Sequence, residues 1–130
     1  MDKLKEIVKI NKALSDITRL RIIALLFKRK KLCVCEIKEV IGLSQPAISS
    51  HLKILENLRL IKGFREGKWM NYKIHEELEK EKKQHIKFII SLLKNSTQIS
   101  DDEEKAKRAD RFCLCRTSGK SKTDILQKKI

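Results

Sequence analysis

Two short amphipathic helix patterns and a hairpin pattern follow one another across residues 36–74, and this order constrains the fold more than any other feature. Ile37, Val40 and Ile41 have the i, i+3, i+4 spacing of one buried helix face. Gly42 follows at once and is typical of the end of a helix. The stretch therefore predicts a short helix that stops at a tight turn before a second helix.

The second helix pattern begins at Ser44, which is placed as an N-cap, and Pro46 is tolerated in a first turn. Its apolar stripe is Ala47, Ile48, Leu52, Leu55 and Leu58. The opposite face carries short polar side chains, which suit hydrogen bonds to base edges and phosphates in a major groove. We therefore predict DNA contacts from Ser44, Gln45, Pro46, Ser49, Ser50, His51 and Lys53.

Residues 61–65 and 68–74 read as a β-hairpin with a turn at Glu66 and Gly67, and apolar side chains alternate along its second strand. Arg65 and Lys68 make the tip basic, and we predict that they contact the DNA backbone or minor groove. Such a pattern could belong to any small α+β domain. The 31 Lys+Arg against 17 Asp+Glu, a net charge of +14, favour a polyanion partner instead.

Amphipathic or apolar helix patterns also occupy residues 3–14, 17–27 and 78–93. The prediction is a mainly α fold with a β-hairpin wing, a winged helix-turn-helix of order α-α-α-α-β-β-α. Residues 1–94 would form the DNA-binding and dimerisation domain. Residues 95–130 would form a polar tail, with at most a short helix near 101–108 and no packed core.

The four cysteines form two Cys-x-Cys pairs, Cys33 with Cys35 and Cys113 with Cys115. No apolar run approaches the roughly 18–20 residues that span a bilayer, and no signal peptide is evident, so we expect a cytoplasmic protein without a membrane partner. Thiols in that reducing compartment are more often metal ligands or free than disulfide-bonded. The alternatives are small buried apolar residues for the first pair and unrelated tail thiols for the second.

Thiolates select soft or borderline ions, among them zinc, cadmium, lead, copper(I), arsenite and antimonite. Arsenite takes three sulfurs, whereas cadmium and zinc prefer four in a tetrahedron. Residues i and i+2 of a regular helix point to different sides, so Cys33 and Cys35 can share one ion only at a helix start or after rearrangement. We expect ligation there to shift the short helix and the DNA-reading helix that follows Gly42.

Four motifs in this order closely resemble the ArsR family of metal-responsive winged-helix repressors. They are Ala13-Leu14-Ser15-Asp16-Ile17-Thr18-Arg19-Leu20-Arg21-Ile22, Leu32-Cys33-Val34-Cys35-Glu36, Ser44-Gln45-Pro46-Ala47-Ile48-Ser49-Ser50-His51-Leu52-Lys53 and Arg65-Glu66-Gly67-Lys68-Trp69. The resemblance runs from about residue 3 to about residue 93. It implies a homodimer that binds a palindromic operator, leaves it when a toxic metal or metalloid binds, and pairs through its first and last helices.

The resemblance also implies a ligand set. Arsenite sensors of the family often have a third cysteine one turn after the Cys-Val-Cys, where this chain has Lys38. Cys113 or Cys115 would then supply the third sulfur for As(III) or Sb(III). All four cysteines together would resemble the four-sulfur sites of cadmium and lead sensors, so Cd(II), Pb(II) or Zn(II) stay as alternatives. Whether the tail and helix cysteines come from one protomer or two is left open.

Other functional classes fit less well. A cysteine-dependent reductase would need an anion-binding or Cys-x-x-Cys loop before Cys33, and none is present. A nonspecific DNA-packaging protein would not need the capped polar helix at Ser44. His75 and His85 lack the accompanying ligands of a zinc site and are taken as surface residues. The prediction is therefore a metalloid-responsive repressor that is not an enzyme.

Overall fold

The computed structural model describes residues 2–109. Within them the chain forms six helices and three strands: α1 Lys3–Leu14, α2 Ile17–Lys28, β1 Leu32–Cys33, α3 Val34–Ile41, α4 Gln45–Asn57, β2 Ile61–Glu66, β3 Trp69–Ile74, α5 Lys80–Ser91 and α6 Thr97–Arg108. The predicted winged helix-turn-helix order is confirmed. The sequence prediction lacked β1 and gave only a short helix in place of α6.

Side-chain caps and one glycine set the helix boundaries. The Asp16 carboxylate accepts a hydrogen bond from the Arg19 backbone N–H at 3.0 Å, and the Ser44 hydroxyl accepts one from Ala47 at 3.4 Å. Gly42 ends α3 in the left-handed conformation, with φ of +82°, and its N–H donates to the Lys38 carbonyl at 2.9 Å. The predicted stop at Gly42 and start at Ser44 are both confirmed.

The three strands form one antiparallel sheet in the order β1-β3-β2. The turn between β2 and β3 consists of Gly67, with φ of +61°, and Lys68. On its other side β3 pairs with β1, so that Leu32 faces Tyr72 and Cys33 faces Asn71. A two-residue strand is too short to show an alternating pattern, so the sequence pattern does not reveal β1.

Helix α2 lies at the centre of the core, as its nearly continuous apolar sequence predicts. It contacts α1, α3, α4, α6 and β3. The largest completely enclosed side chains around it come from six other elements or their ends, and they are Ile10, Leu32, Ile37, Ile48, Leu52, Leu55, Leu60, Ile61 and Ile86. This packing holds α3 and α4, the two helices of the helix-turn-helix, in a fixed relation.

Helix α6 is longer than the short helix that the sequence predicted near residues 101–108. It begins at Thr97, contacts α2 and α3, and buries Ala106 completely. Arg21 donates to both carboxylate oxygens of Asp102, at 2.9 and 2.8 Å, and these hydrogen bonds raise the pKa of Arg21. The contact depends on a buried ion pair and an alanine, so the hydrophobic pattern does not reveal it.

Gly42→Ala is expected to lower the free energy of unfolding by about 1–2 kcal/mol, because an alanine Cβ is strained at positive φ. No atom lies within 4 Å of a Cβ built at this position, so steric contact adds nothing. Urea denaturation followed by circular dichroism measures the loss. Lys38→Ala, on the exposed side of the same helix, is the control. An unchanged midpoint for Gly42→Ala would contradict the conformational argument.

Candidate DNA-binding surface and thiolate site

The start of α4 presents an exposed polar face. Its apolar side, Ile48, Leu52 and Leu55, is completely buried and fixes the helix on the core. The predicted DNA contacts on the other side are exposed, namely Ser44, Gln45, Pro46, Ser49, Ser50 and Lys53. Exposed donors and acceptors at the start of a helix can reach base edges and phosphates in a major groove. Their DNA contacts stay a prediction.

His51 differs from the other predicted contacts because it is half-buried and engaged within the protein. Its Nδ1 lies 3.2 Å from Arg19 Nη1 and 4.0 Å from Asp16 Oδ1. Arg19 also donates through Nε to the Ala13 carbonyl at 2.8 Å. Through these contacts His51 ties α4 to the α1–α2 junction. A direct DNA contact by His51 also stays a prediction.

The hairpin presents its predicted cations at the tip. Arg65 of β2 and Lys68 of the turn are both exposed, and Lys68 Nζ lies 5.8 Å from the centre of the Trp69 ring. In the middle of β2 the Gly63 N–H donates to Glu56 Oε2 of α4 at 3.0 Å. The wing and the reading helix are therefore joined directly. Sequence reasoning missed Glu56 in this role.

The first cysteine pair lies at the start of a helix, where strand β1 ends and α3 begins. Cys33 is buried and is the N-cap of α3, and Cys35 is half-buried in the first turn. The Glu36 carboxylate accepts a hydrogen bond from the Cys33 backbone N–H at 2.8 Å and so fixes the start of the helix. Two sulfurs at one helix start are a suitable donor pair for a soft ion.

The rest of a ligand set is not found in this part of the chain. Among residues 2–109, no three His, Cys, Asp or Glu side chains are grouped closely enough to hold a metal ion. Cys113 and Cys115, the other predicted ligands, lie outside the described residues. His85 Nε2 lies 3.1 Å from Asn11 Oδ1, and His75 Nδ1 accepts from the Glu77 backbone N–H at 3.1 Å. A third sulfur would therefore have to come from beyond residue 109 or from another chain.

Strand β1 joins the cysteine pair to the wing. Cys33 faces Asn71 of β3, whose completely buried amide donates to Glu66 Oε1 at 2.9 Å. Glu66 Oε2 accepts a hydrogen bond from Nζ of Lys31, the residue before β1, at 2.6 Å. Glu66, the last residue of β2, therefore bonds both to the residue that precedes β1 and to the β3 residue that pairs with Cys33. Because β1 and the Lys31 contact are not visible in the sequence pattern, this connection was not predicted.

Helices α1 and α5 leave apolar side chains uncovered on one side of the chain. Leu4, Phe88 and Leu92 are 72, 64 and 69% exposed. A cavity of about 380 Å³ lies between the two helices and is lined by Ile7 and His85 among others. Phe88 and Leu92 follow His85 by three and seven residues, on the same helix face. No helix among the described residues is long and apolar enough to cross a membrane.

Comparison with known proteins identifies the domain. Residues 16–62 match the family model described as "Bacterial regulatory protein, arsR family". An uncharacterized HTH-type transcriptional regulator of Methanocaldococcus jannaschii is 40% identical over 81 residues, which are 62% of this chain and 91% of that protein. The arsenic resistance transcriptional regulator ArsR1 of Pseudomonas putida is 40% identical over 67 residues, 52% of each chain.

The cadmium resistance transcriptional regulatory protein CadC homolog of Staphylococcus aureus is 39% identical over 72 residues, 55% of this chain and 60% of that protein. The chain thus spans between half and two thirds of the arsenic and cadmium regulators. HlyU from Vibrio cholerae superposes with a TM-score of 0.61 at 29% identity, over 71% of this chain and 97% of that structure.

A homodimeric winged helix-turn-helix DNA-binding domain from Mycobacterium bovis superposes with a TM-score of 0.56 over 71% of this chain and 78% of that one. At 24% identity it bears on the fold alone. The relatives that match in sequence are named as transcriptional regulators. The matched motifs, the helix-turn-helix geometry and these relatives together show that this chain belongs to the arsR family of bacterial regulatory proteins.

Proposed function

We propose that the chain is a transcriptional repressor that binds a palindromic operator as a homodimer and dissociates when arsenite or antimonite binds its cysteine thiolates. It acts in the cytoplasm, where the operator is, and it is not an enzyme. The observation that carries the proposal is the position of Cys33 and Cys35 at the start of α3, the helix that precedes the turn into α4. Cys33 is also the last residue of β1, the strand that pairs with β3 of the wing.

The uncovered faces of α1 and α5 support a homodimer. Leu4, Phe88 and Leu92 expose apolar area that an isolated chain would leave in water, and a second copy placed on a two-fold axis would bury it. Two reading helices related by that axis would match the two half-sites of a palindrome.

Thiolate chemistry favours a soft inducer. The described part of each chain contains two cysteines, of which Cys33 is buried and Cys35 is half-buried. One more sulfur from Cys113 or Cys115 would complete the three-sulfur set of As(III). The second candidate is a four-sulfur site for Cd(II), Pb(II) or Zn(II). The fourth cysteine and the cadmium-resistance relative favour that candidate, so the experiment below separates the two.

We propose that ion binding by Cys33 and Cys35 affects DNA binding through two structural connections, one to the reading helix and one to the wing. Pulling Cys33 and Cys35 together changes the start of α3, whose other end at Gly42 leads into the reading helix. The same movement acts on β1, and through Asn71 and Glu66 on the wing. An ion that binds the off-DNA arrangement better lowers operator affinity by that difference in binding free energy and no more.

The test is fluorescence anisotropy of the reduced protein on DNA from its own promoter, titrated separately with arsenite, cadmium and zinc. Release by arsenite at the lowest concentration, lost in Cys113→Ser/Cys115→Ser, is the expected result. Release by cadmium at lower concentration would replace arsenite with a four-sulfur cation site. No release by any of the three would overturn the proposal and leave a DNA-binding protein.

The reading helix and the wing are expected to respond differently to truncation. Gln45→Ala removes a base-edge donor and acceptor, and should cost about 1–3 kcal/mol on the operator while relaxing specificity at one base pair. Lys68→Ala removes a phosphate contact, and should weaken all sequences similarly and reduce the salt slope by about 1. Binding isotherms on operator and scrambled DNA at several salt concentrations measure both. Equal losses on both DNAs for Gln45→Ala would contradict its assignment.

A further inference from the structure

One arginine side chain joins three helices beside the reading helix. Arg19 lies in the first turn of α2, where its backbone N–H donates to the N-cap carboxylate of Asp16 at 3.0 Å. Its Nε donates to the Ala13 carbonyl of α1 at 2.8 Å, and its Nη1 lies 3.2 Å from Nδ1 of His51 in α4. Atoms of α1, α2 and α4 therefore meet at a single guanidinium group.

The contact between Arg19 and Ala13 satisfies the end of α1. The last four carbonyls of a helix have no partner within it, and Ala13 is the second-to-last residue of α1. An arginine side chain can hydrogen-bond such a carbonyl and suits the negative end of the helix dipole. Because Ala13 is only 3% exposed, water has little access to this carbonyl. One nitrogen of Arg19 is thus committed to α1.

The chemistry of the pair determines which nitrogen of His51 carries the proton. An arginine side chain has only donors, so His51 Nδ1 can hydrogen-bond to Arg19 only as an acceptor. The imidazole in this contact is then neutral, with its proton on Nε2. Asp16 Oδ1 lies 4.0 Å from the same Nδ1, which is too far for a hydrogen bond. The Arg19 guanidinium therefore orients the His51 ring.

His51 is less accessible to DNA than its neighbours on α4. Its side chain is 21% exposed, whereas Ser49, Ser50 and Lys53 are exposed residues. One of its two ring nitrogens is already in contact with Arg19. His51 directly follows Ser50, so a shift of the helix at His51 would also move the reading face.

We infer that His51 and Arg19 are positioning residues for operator binding: they hold the reading helix against α1 and α2, and His51 acts through Nδ1 on Arg19 instead of through a base. The planar guanidinium donates in fixed directions, so it constrains direction as well as distance between the α1 carbonyl and the α4 ring. The inference rests on the proposed binding of a palindromic operator.

The junction has a direct relation to the proposed dimer. Helix α1 carries part of the uncovered apolar face, including Leu4, Ile7 and Val8, which are exposed. If α1 packs at the two-fold axis, the contact of Arg19 with Ala13 and His51 sets where each reading helix lies relative to that axis. The two reading helices must match two half-sites at a fixed separation, so their placement affects operator affinity.

Loss of the contact is expected to weaken operator binding and leave the fold intact. Ile48, Leu52 and Leu55 are completely buried and still hold α4 on the core. One hydrogen bond to a charged donor corresponds to a change of about 10-fold or more in an equilibrium constant. Without it α4 occupies a wider set of positions, and the apparent affinity for DNA falls by the fraction of chains in the correct one.

Two matched substitutions separate the two ring nitrogens. His51→Asn keeps an acceptor close to the place of Nδ1, because its amide oxygen is also a δ atom, and it has no atom at Nε2. His51→Gln keeps a donor close to the place of Nε2 and has no acceptor at Nδ1. In fluorescence anisotropy on operator DNA at fixed salt, without arsenite, His51→Ala and His51→Gln should weaken binding about 10-fold, and His51→Asn should restore it to within about threefold of wild type.

The Asn variant decides the outcome. A loss in His51→Asn as large as in His51→Ala would overturn the inference, and recovery in His51→Gln alone would assign His51 a direct DNA contact through Nε2. Unchanged affinity in His51→Ala would overturn it as well. Failure of the wild-type protein to bind its operator would instead overturn the proposed function, so the two failures are distinguishable.

Substitutions of Arg19 test the other half of the pair. Arg19→Ala should weaken operator binding at least as much as His51→Ala, and the double variant should lose no more than Arg19→Ala alone, because both changes remove the same contact. Arg19→Lys keeps the positive charge but lacks the second, differently directed nitrogen, so it should not restore the affinity.

Wild-type affinity in Arg19→Lys would mean that charge alone matters, and additive losses in the double variant would mean that the two residues act separately. Either result would contradict the inference. If circular dichroism shows that Arg19→Ala does not fold, the three His51 variants still decide between positioning and direct contact.

Discussion

Cys33→Ser is expected to raise the arsenite concentration that releases the operator by at least about 100-fold, while operator affinity without arsenite stays within about twofold. A hydroxyl is a poor ligand for a soft ion, and even partners outside the ligand shell change metal affinity by about 10–100-fold when they are removed. Serine is nearly the same size and is a preferred N-cap, so α3 should still begin at residue 34.

Anisotropy on labelled operator measures both quantities for the variant. Cys35→Ser should behave in the same way, whereas Lys38→Ser, on the exposed side of the same helix, should keep the wild-type response. A wild-type arsenite response in Cys33→Ser would remove the first cysteine pair from the proposed site. Loss of operator binding in Cys33→Ser would instead assign Cys33 a structural role.

Arg21→Ala is expected to lower the free energy of unfolding by about 3–5 kcal/mol. The substitution leaves the Asp102 carboxylate buried, and Gln98 is then the one side chain among residues 2–109 that donates to it. Asp102→Ala should cost less, because Arg21 is 16% exposed and its guanidinium can turn towards water. The difference between the two variants therefore reports how unequally the partners of the pair are buried.

Urea denaturation at neutral pH measures both losses. Lys28→Ala removes the partner of Glu103 in the neighbouring, largely exposed pair, and it should change stability by less than about 1 kcal/mol. Equal losses for Arg21→Ala and Lys28→Ala would mean that α6 is not held by its buried ion pair.

The parts of the fold that the sequence predicts well are those determined by neighbouring residues. The turn at Gly42 and the cap at Ser44 each depend on a few adjacent side chains, so local patterns reveal them. Arg21 and Asp102 are 81 residues apart, and no periodicity connects them. A partial signal is that Arg21 adjoins the apolar run of α2 from Ile22 to Phe27, which indicates a buried partner without identifying it.

The same holds for the candidate site, where the local features could be predicted from the sequence and the long-range contacts could not. The Cys-x-Cys spacing indicates that both sulfurs can share one ion only at a helix start or after rearrangement, and in the structure Cys33 and Cys35 do lie at the start of α3. The pairing of Cys33 with Asn71 depends on a two-residue strand and a partner 38 residues away, so no local pattern could show it. The ligand roles of Cys113 and Cys115 stay a prediction, since both lie outside residues 2–109.

In the proposed mechanism, the pairing of β1 with β3 couples ion binding at Cys33 to the wing, and this coupling affects the ion concentration at which the repressor responds. Linkage is reciprocal, so if a bound ion weakens DNA binding by some factor, bound DNA must weaken ion binding by the same factor. The ion concentration that triggers a response is then a joint property of protein and promoter. If this protein repressed two promoters whose operators bind it with different affinities, the two would be derepressed at different ion concentrations. The promoter with the weaker operator would be derepressed first as the ion accumulates.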